Sequence, residues 1–337
     1  MTSIMAKLRE FKRSRQPTIK ELKFIIARVK KSPLSIVGLV IVAVFAGIAV
    51  LAPVLAPPVP PPMGKSDPFI IWKDLSIPAA ERIKPRPPSP THPFGTTEES
   101  YDIYYGCIWG TITAFRVGLM VVAFSLVIGI VTGCLAGYYG GIIDEILMRF
   151  TDMTLAIPGL ILAMALVVAL PTDIPLNLGF TTLTLSLTKL DKVLLALVLV
   201  GWPSYTRVIR GEILKVRVED YIEAAKATGC SDFRVMTRHV LPNSIYPIVI
   251  MGSLDTGSIV LTAAALSFLG LGAPPGYADW GQLISLSQNY IYSNISNPAS
   301  NWWVWLIPGL FIFTFVLGWN LLGDAFRDIL DPTLRRR

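Results

Sequence analysis

Cysteine and histidine are scarce in this 337-residue chain, and charge is scarcer than in ordinary soluble domains. The three cysteines, Cys107, Cys134 and Cys230, lie in separate segments without a CxxC spacing, and the histidines are His92 and His239 alone. That argues against a disulfide scaffold and a structural zinc site. Charged residues make up 16% and hydrophobic residues 53%, where globular domains carry about 25% charged. Too few polar side chains remain to cover soluble domains of this size. The chain lacks a G-x-x-x-x-G-K-[ST] run, so it has no loop of that type to cradle ATP phosphates. It offers no Ser/His/Asp or metal-ligand set either, which argues against an enzyme.

What is present is a series of apolar runs that match a bilayer core, about 30 Å thick and spanned by ~20 apolar residues in a helix. Six spans are expected, at residues 34–55, 117–137, 153–170, 193–206, 245–269 and 303–322. The first follows Pro33, a residue suited to a first helical turn. The second repeats Gly129, Gly133 and Gly137 on one face, which favours close helix packing. Pro158 interrupts the third and is expected to be tolerated there. The fourth is short, contains Pro203, and is expected to use Lys192 and Arg207 as snorkelling ends. The fifth contains Asp255. A central carboxylate costs about 3 kcal/mol, which about a dozen large apolar residues at about −0.4 kcal/mol each offset. Asp255 is therefore expected to face a pathway or to be paired inside the bundle. The reading is an all-α polytopic membrane protein.

The formal charge of +7 is explained by its placement. Ten lysines and arginines precede the first span, from Lys7 to Lys31. The loop after the fourth span carries Arg207, Arg210, Lys215, Arg217, Lys226, Arg234 and Arg238, and the tail ends in Arg335, Arg336 and Arg337, whereas residues 270–302 contain no basic residue. The positive-inside rule then puts both termini and the basic loop in the cytoplasm of a plasma or inner membrane. A signal peptide fits less well, because the apolar run is long and no A-x-A site closes it. A nucleic-acid role would need the charge gathered on a soluble fold, so no nucleic-acid partner is expected. The domain reading is a basic N-terminus at 1–33, a first span at 34–56, an outer loop at 57–115, a five-helix core at 116–325 and a tail at 326–337.

Thirteen of the 26 prolines lie from Pro53 to Pro93, including Pro57, Pro58, Pro60, Pro61 and Pro62, so the outer loop is expected to be extended and mostly irregular. Tyr277, Trp280, Tyr290 and Tyr292 in the second outer loop suit an interfacial belt or a platform for a partner protein. Asn294-Ile295-Ser296 is a glycosylation-type triplet.

The basic loop at 207–243 carries the strongest pattern. Val218, Ile222 and Ala225 fall at i, i+4 and i+7 behind Glu219, Asp220 and Glu223, as in a short amphipathic helix with acids at its start. Gly229 is expected to stop it. Ser231 is placed to cap a second helix with Phe233, Met236 and Val240 on one face, which Pro242 is expected to end. Helices this short need a surface to dock on, either their own membrane helices or another protein.

Glu223-Ala224-Ala225, Gly229, His239, Val240, Leu241 and Pro242, at this spacing, resemble the EAA loop of permease subunits of ATP-binding-cassette importers. His239 replaces the isoleucine of the general pattern, as in the peptide and nickel branch. His92-Pro93-Phe94-Gly95-Thr96, the run from Leu266 to Gly272, and Gly323-Asp324-Ala325 with Asp328, Asp331 and Pro332 are similar to the C-type permease of dipeptide and oligopeptide importers. Thr97-Glu98-Glu99-Ser100-Tyr101 departs from the acid and Gly-Arg of many relatives, and Ala263 stands where many carry an acid. The resemblance implies half of a translocation pathway surrounded by membrane lipid. Its partners would be a second homologous permease, two ATPase subunits holding ATP and Mg, and an extracytoplasmic substrate-binding protein; this chain itself would hold no cofactor. It further implies that Glu223, Ala224, Ala225 and Gly229 contact an ATPase subunit, with the alanines allowing close approach. Peptides are the expected cargo, with oligosaccharides or nickel chelates as the alternative. An ion-coupled secondary carrier would instead show paired intramembrane charges or internal repeats.

Overall fold

The computed structural model describes residues 32–58, 67–76, 78, 82–177, 182–292 and 300–330. The basic residues before Ser32, Pro60 to Pro62, the Asn294 triplet, Asp331, Pro332 and the terminal arginines lie outside the described residues. Helices dominate what remains. Five of them are long and apolar enough to cross a membrane, and a bent helix pair makes a sixth segment when counted as one span.

Helix α1, Pro33–Leu55, starts on Ser32, whose hydroxyl accepts from Ser35 N, with Pro33 in the first turn. It lies against the last span, α12, Trp303–Leu330. Gly38 makes that approach feasible, because an added Cβ would sit 2.6 Å from Leu321 Cβ. Helix α2, Ile103–Tyr139, is capped by Asp102, which accepts from Tyr105 N at 2.8 Å. At 37 residues it is about 55 Å long, so it outruns the bilayer and begins upstream of the expected span. Its glycine face packs on α5, Lys189–Val216: a Cβ at Gly133 would lie 1.9 Å from Ile209 Cγ2 and one at Gly129 2.5 Å from Tyr205 Cβ.

Two expected spans take a different form. The run at 153–170 is not one helix through Pro158; α3, Gly141–Leu155, and α4, Gly159–Ala169, meet at 93°. Proline biases the residue before it away from the helical region and lacks the N–H that would continue the ladder, and Pro158 itself sits at ψ 125 as the cap of α4. The run at 193–206 is not a short span with Lys192 and Arg207 at its ends. It is the middle of a 28-residue helix, begun by a Thr188–Asp191 capping box and continuing through Pro203 to Val216. Its charged turns are stabilised by partners: Arg210 binds Asp144 through two nitrogens at 2.5 and 2.6 Å, and Arg207 reaches Asp152 at 2.6 Å.

The hairpin β1, Asp173–Asn177, with β2, Thr182–Ser186, pairs antiparallel with Asp173 opposite Ser186, and joins α4 to α5. The alternation Thr182-Leu183-Thr184-Leu185-Ser186 carries that period of two in the sequence. Beyond α5 come α6, Asp220–Ala227, α7, Asp232–Val235, and α8, Leu241–Ser244. Then follow α9, Tyr246–Phe268, α10, Trp280–Ser285, and α11, Gln288–Tyr292.

Buried side chains form three clusters in order along α2: around Ile103 to Ala114, around Val117 and Val121, and around Cys134 and Tyr138. The first underlies a cap at one end of the bundle, where the proline-rich segment and the loop after α9 interleave. Ala278 N donates to Phe69 O and Ile71 N to Gly276 O, both at 2.7 Å. The Trp280 indole is buried and donates to Cys107 O at 3.0 Å, so it serves this core rather than an interfacial belt. Phe69 and Tyr277 stack with centroids 5.7 Å apart. In the same cap His92 lies between two carboxylates, Nδ1 2.6 Å from Asp102 Oδ2 and Nε2 3.3 Å from Asp74 Oδ2.

Candidate functional site

Helices α6 to α8 sit at the opposite end from the cap, against the third core cluster. Asp220 and Glu223 lie in the first turn of α6 and Lys226 in its last, each on the side that the helix dipole favours. Gly229 ends the helix at φ +80, where a Cβ would be strained, with open space around it. Gly229 N donates to Lys226 O and Cys230 N to Ala225 O, the two bonds that close orphan carbonyls at such a stop. The following segment departs from a simple capped helix. Ser231 occupies the cap position of α7 without a side-chain cap bond. Pro242 does not end the helical path; a π-helical turn over Met236–Val240 leads into α8, with Leu241 N donating to Met236 O. The wider turn re-spaces the ladder just ahead of a residue that has no N–H to donate.

The pair is fastened to its own bundle by one face. Ile222, Val235 and Val240 are fully buried with Ile209, Ile213 and Ile248. The Tyr138 hydroxyl donates to Asp232 Oδ1 at 2.7 Å, and Lys226 Nζ stands 5.3 Å from the centroid of the same ring. Asn243 Nδ2 donates to His239 O at 2.7 Å, and the Ser244 hydroxyl to Val240 O at 3.0 Å, closing the turns around Pro242. Tyr138 and Asp232 are the anchor that sequence reasoning missed; nothing in their spacing of 94 residues announces a contact.

The other face is open. Glu223, Ala224, Gly229 and Pro242 are exposed, and Ala225, His239 and Leu241 half-buried. Val218 and Phe233, expected on the packed stripes, are instead exposed, Phe233 at 70%, and Tyr221 joins them. Burial and the neighbouring Glu219 carboxylate push the Tyr221 hydroxyl up from its ordinary value. The chain thus presents an acid, small residues and large apolar side chains together, with the third buried cluster behind them. Such a surface suits docking of a protein and offers no group placed for bond chemistry.

Asp255 lies on α9 in a different part of the molecule. The Tyr205 hydroxyl of α5 donates to its Oδ2 at 2.7 Å, so one of the two expected arrangements, pairing inside the bundle, is present. Ala263 is buried beside Asp279 and Trp280.

Comparison with known proteins gives a consistent grouping. Residues 129–336 match the family described as binding-protein-dependent transport system inner membrane component, and residues 23–68 match the N-terminal TM domain of oligopeptide transport permease C. The chain is 35% identical to the dipeptide transport system permease protein DppC of Alkalihalophilus pseudofirmus over 91% of its own length and 88% of the relative's. It is 36% identical to the probable D,D-dipeptide transport system permease protein DdpC of Escherichia coli, over 90% and 89%. Among solved structures it is similar to the MetNI methionine ABC transporter in inward-facing conformations, with a TM-score of 0.48 and 18% identity over 67% of this chain and 96% of that one.

Proposed function

Because this chain belongs to the family of binding-protein-dependent transport system inner membrane components, we propose that it is the permease that forms half of an ATP-driven peptide importer and takes its energy from other chains through α6 to α8. The chain is a multi-pass transport component and not an enzyme. The observation that carries the coupling role is the two-sidedness of the helix pair: Ile222, Val235 and Val240 fix it to the bundle, while Glu223, Ala224, Tyr221 and Phe233 stay uncovered. A partner that grips the open face moves α2 and α5 with it, since the anchor runs through Tyr138, Ile209 and Ile213. The partners are two ATPase subunits that hold ATP and Mg, a second permease that completes the pathway, and an extracytoplasmic binding protein that delivers cargo.

Dipeptides or oligopeptides as cargo rest on the names of the relatives. The basic residues of α5 to α8, from Arg207 to Arg238, favour the cytoplasmic side for this end, and the cap then faces outward. Glu223→Lys tests the coupling in the reconstituted transporter. ATP-driven dipeptide uptake is expected to be lost while the chain still inserts and pairs with its permease partner. Undiminished uptake would reject the contact.

A further inference from the structure

We infer that the open stripe of α9 formed by Asp255, Ser258 and Thr262 is a wetted wall of the cargo path, with Asp255 supplying the negative charge that meets the cationic amino end of a peptide. This rests on the peptide-importer reading. The faces of α9 sort themselves by partner. Gly252 and Thr256 approach α2, where a Cβ on Gly252 would lie 3.1 Å from Leu126 Cδ1 and one on Gly118 2.9 Å from Thr256 Cγ2. Gly257 approaches α12, 3.2 Å from Val316 Cα on the same construction. Asp255, Ser258 and Thr262, at i, i+3 and i+7, occupy the remaining face, and none of the three is buried. They cover about 10 Å of helix.

That face is mixed: Leu261 is exposed beside the stripe, and the Thr262 hydroxyl donates to Ser258 O at 2.9 Å. Outward-facing residues of α1 are Val40, Val44 and Val50, and the α9 stripe places a carboxylate and two hydroxyls at comparable depth. A charge there costs about 3 kcal/mol against lipid, so it faces water or a polar partner. Tyr205 occupies Oδ2, and Oδ1 carries no hydrogen bond from any described residue. Beside the stripe a groove of about 330 Å³ opens between α4, α5 and α9, where Thr262 meets the apolar side chains of Leu160, Leu197, Val200 and Ile259.

The test uses the complete transporter in vesicles, carrying Cys230→Ser, because the other two cysteines are buried. ATP-driven dipeptide uptake by that background tests the importer reading separately. Ser258→Cys and Thr262→Cys are then treated with ammonium-bearing and sulfonate-bearing thiosulfonate reagents. Both positions are expected to react at least about tenfold faster than Val44→Cys on α1, as a hydrated wall differs from a lipid face. At Ser258→Cys the ammonium reagent is expected to be favoured, after correction for reaction with a free thiol. Adding Asp255→Asn is expected to reduce that preference at least about threefold, as for removal of a charge one helical turn away in a partly aqueous site. Saturating dipeptide should slow both reactions. Stripe cysteines that react no faster than Val44→Cys would assign the face to lipid or to a second permease and overturn the inference. A charge preference unchanged by Asp255→Asn would overturn the role of the carboxylate.

Discussion

Glu99 and Ser100 both adopt positive φ, 66° and 62°, and are the non-glycine residues to do so among those described. Each costs about 1 kcal/mol or more in that region. Ser100 is also buried, with a hydroxyl that has no hydrogen-bond partner among the described residues. Ser100→Gly removes both penalties, and the extra freedom of glycine in the unfolded chain offsets only part of the gain. A stabilisation of about 1 kcal/mol is expected, read as a higher melting temperature in detergent. A lower one would mean that the hydroxyl has a role the turn conceals. Nearby, His92 is held above its ordinary value chiefly by the Asp102 carboxylate, against the opposing effect of burial, with Asp74 adding to the rise. Burial alone would raise Asp74, but its bonds with Ser76 and His92 bring it below the usual carboxylate value. The protonated imidazole is thus the form the fold prefers. Its contribution is complete below the unfolded value near 6.5 and is lost as pH rises through the higher folded value. Melting temperature is expected to fall across that alkaline limb, and His92→Gln to flatten it; an identical pH profile in the variant would exclude this contribution.

Among elements, the α2–α5 contact is sensitive to a single atom. Gly133→Ala puts a methyl into Ile209 and the Thr206 carbonyl and is expected to destabilise by about 1–3 kcal/mol. Gly47→Ala on α1 meets nothing within 4 Å and serves as its control, with a neutral or slightly stabilising effect expected. Equal melting temperatures for the two would remove the glycine face from the account of packing. That face was legible because Gly129, Gly133 and Gly137 repeat at helical spacing. The consequences of proline were not. Pro203 stays inside a continuous helix, Pro158 divides two, and Pro242 follows a π turn. The same residue gives three outcomes because neighbouring packing, and not the missing N–H alone, decides where the freed carbonyl goes. The 173–186 hairpin was missed because a short apolar alternation between two spans looks like the frayed end of either.

For the molecule as a whole, the apolar segments could be read from hydropathy, a sum over many residues: five helices are long and apolar enough to cross a membrane, and the bent pair makes a sixth when counted as one span. The α6 to α8 pattern was legible for the same reason: several residues at fixed spacing. Which face of it packs was not. Val218 and Phe233 fit a helical stripe as well as Ile222 and Val235 do, and only the position of α2 and α5 decides that the latter pair is buried. Asp255 was visible as an anomaly, whereas its contact with Tyr205 depends on two spans meeting 50 residues apart. The two ends of the bundle also differ in how they are tied. Around the cap, strands of chain from either side of α2 and α9 are laced together by main-chain bonds and by the Trp280 indole. At the other end a few side chains hold a jointed helix pair. A tug delivered to that pair would therefore act on the end held through side chains, far from the laced cap.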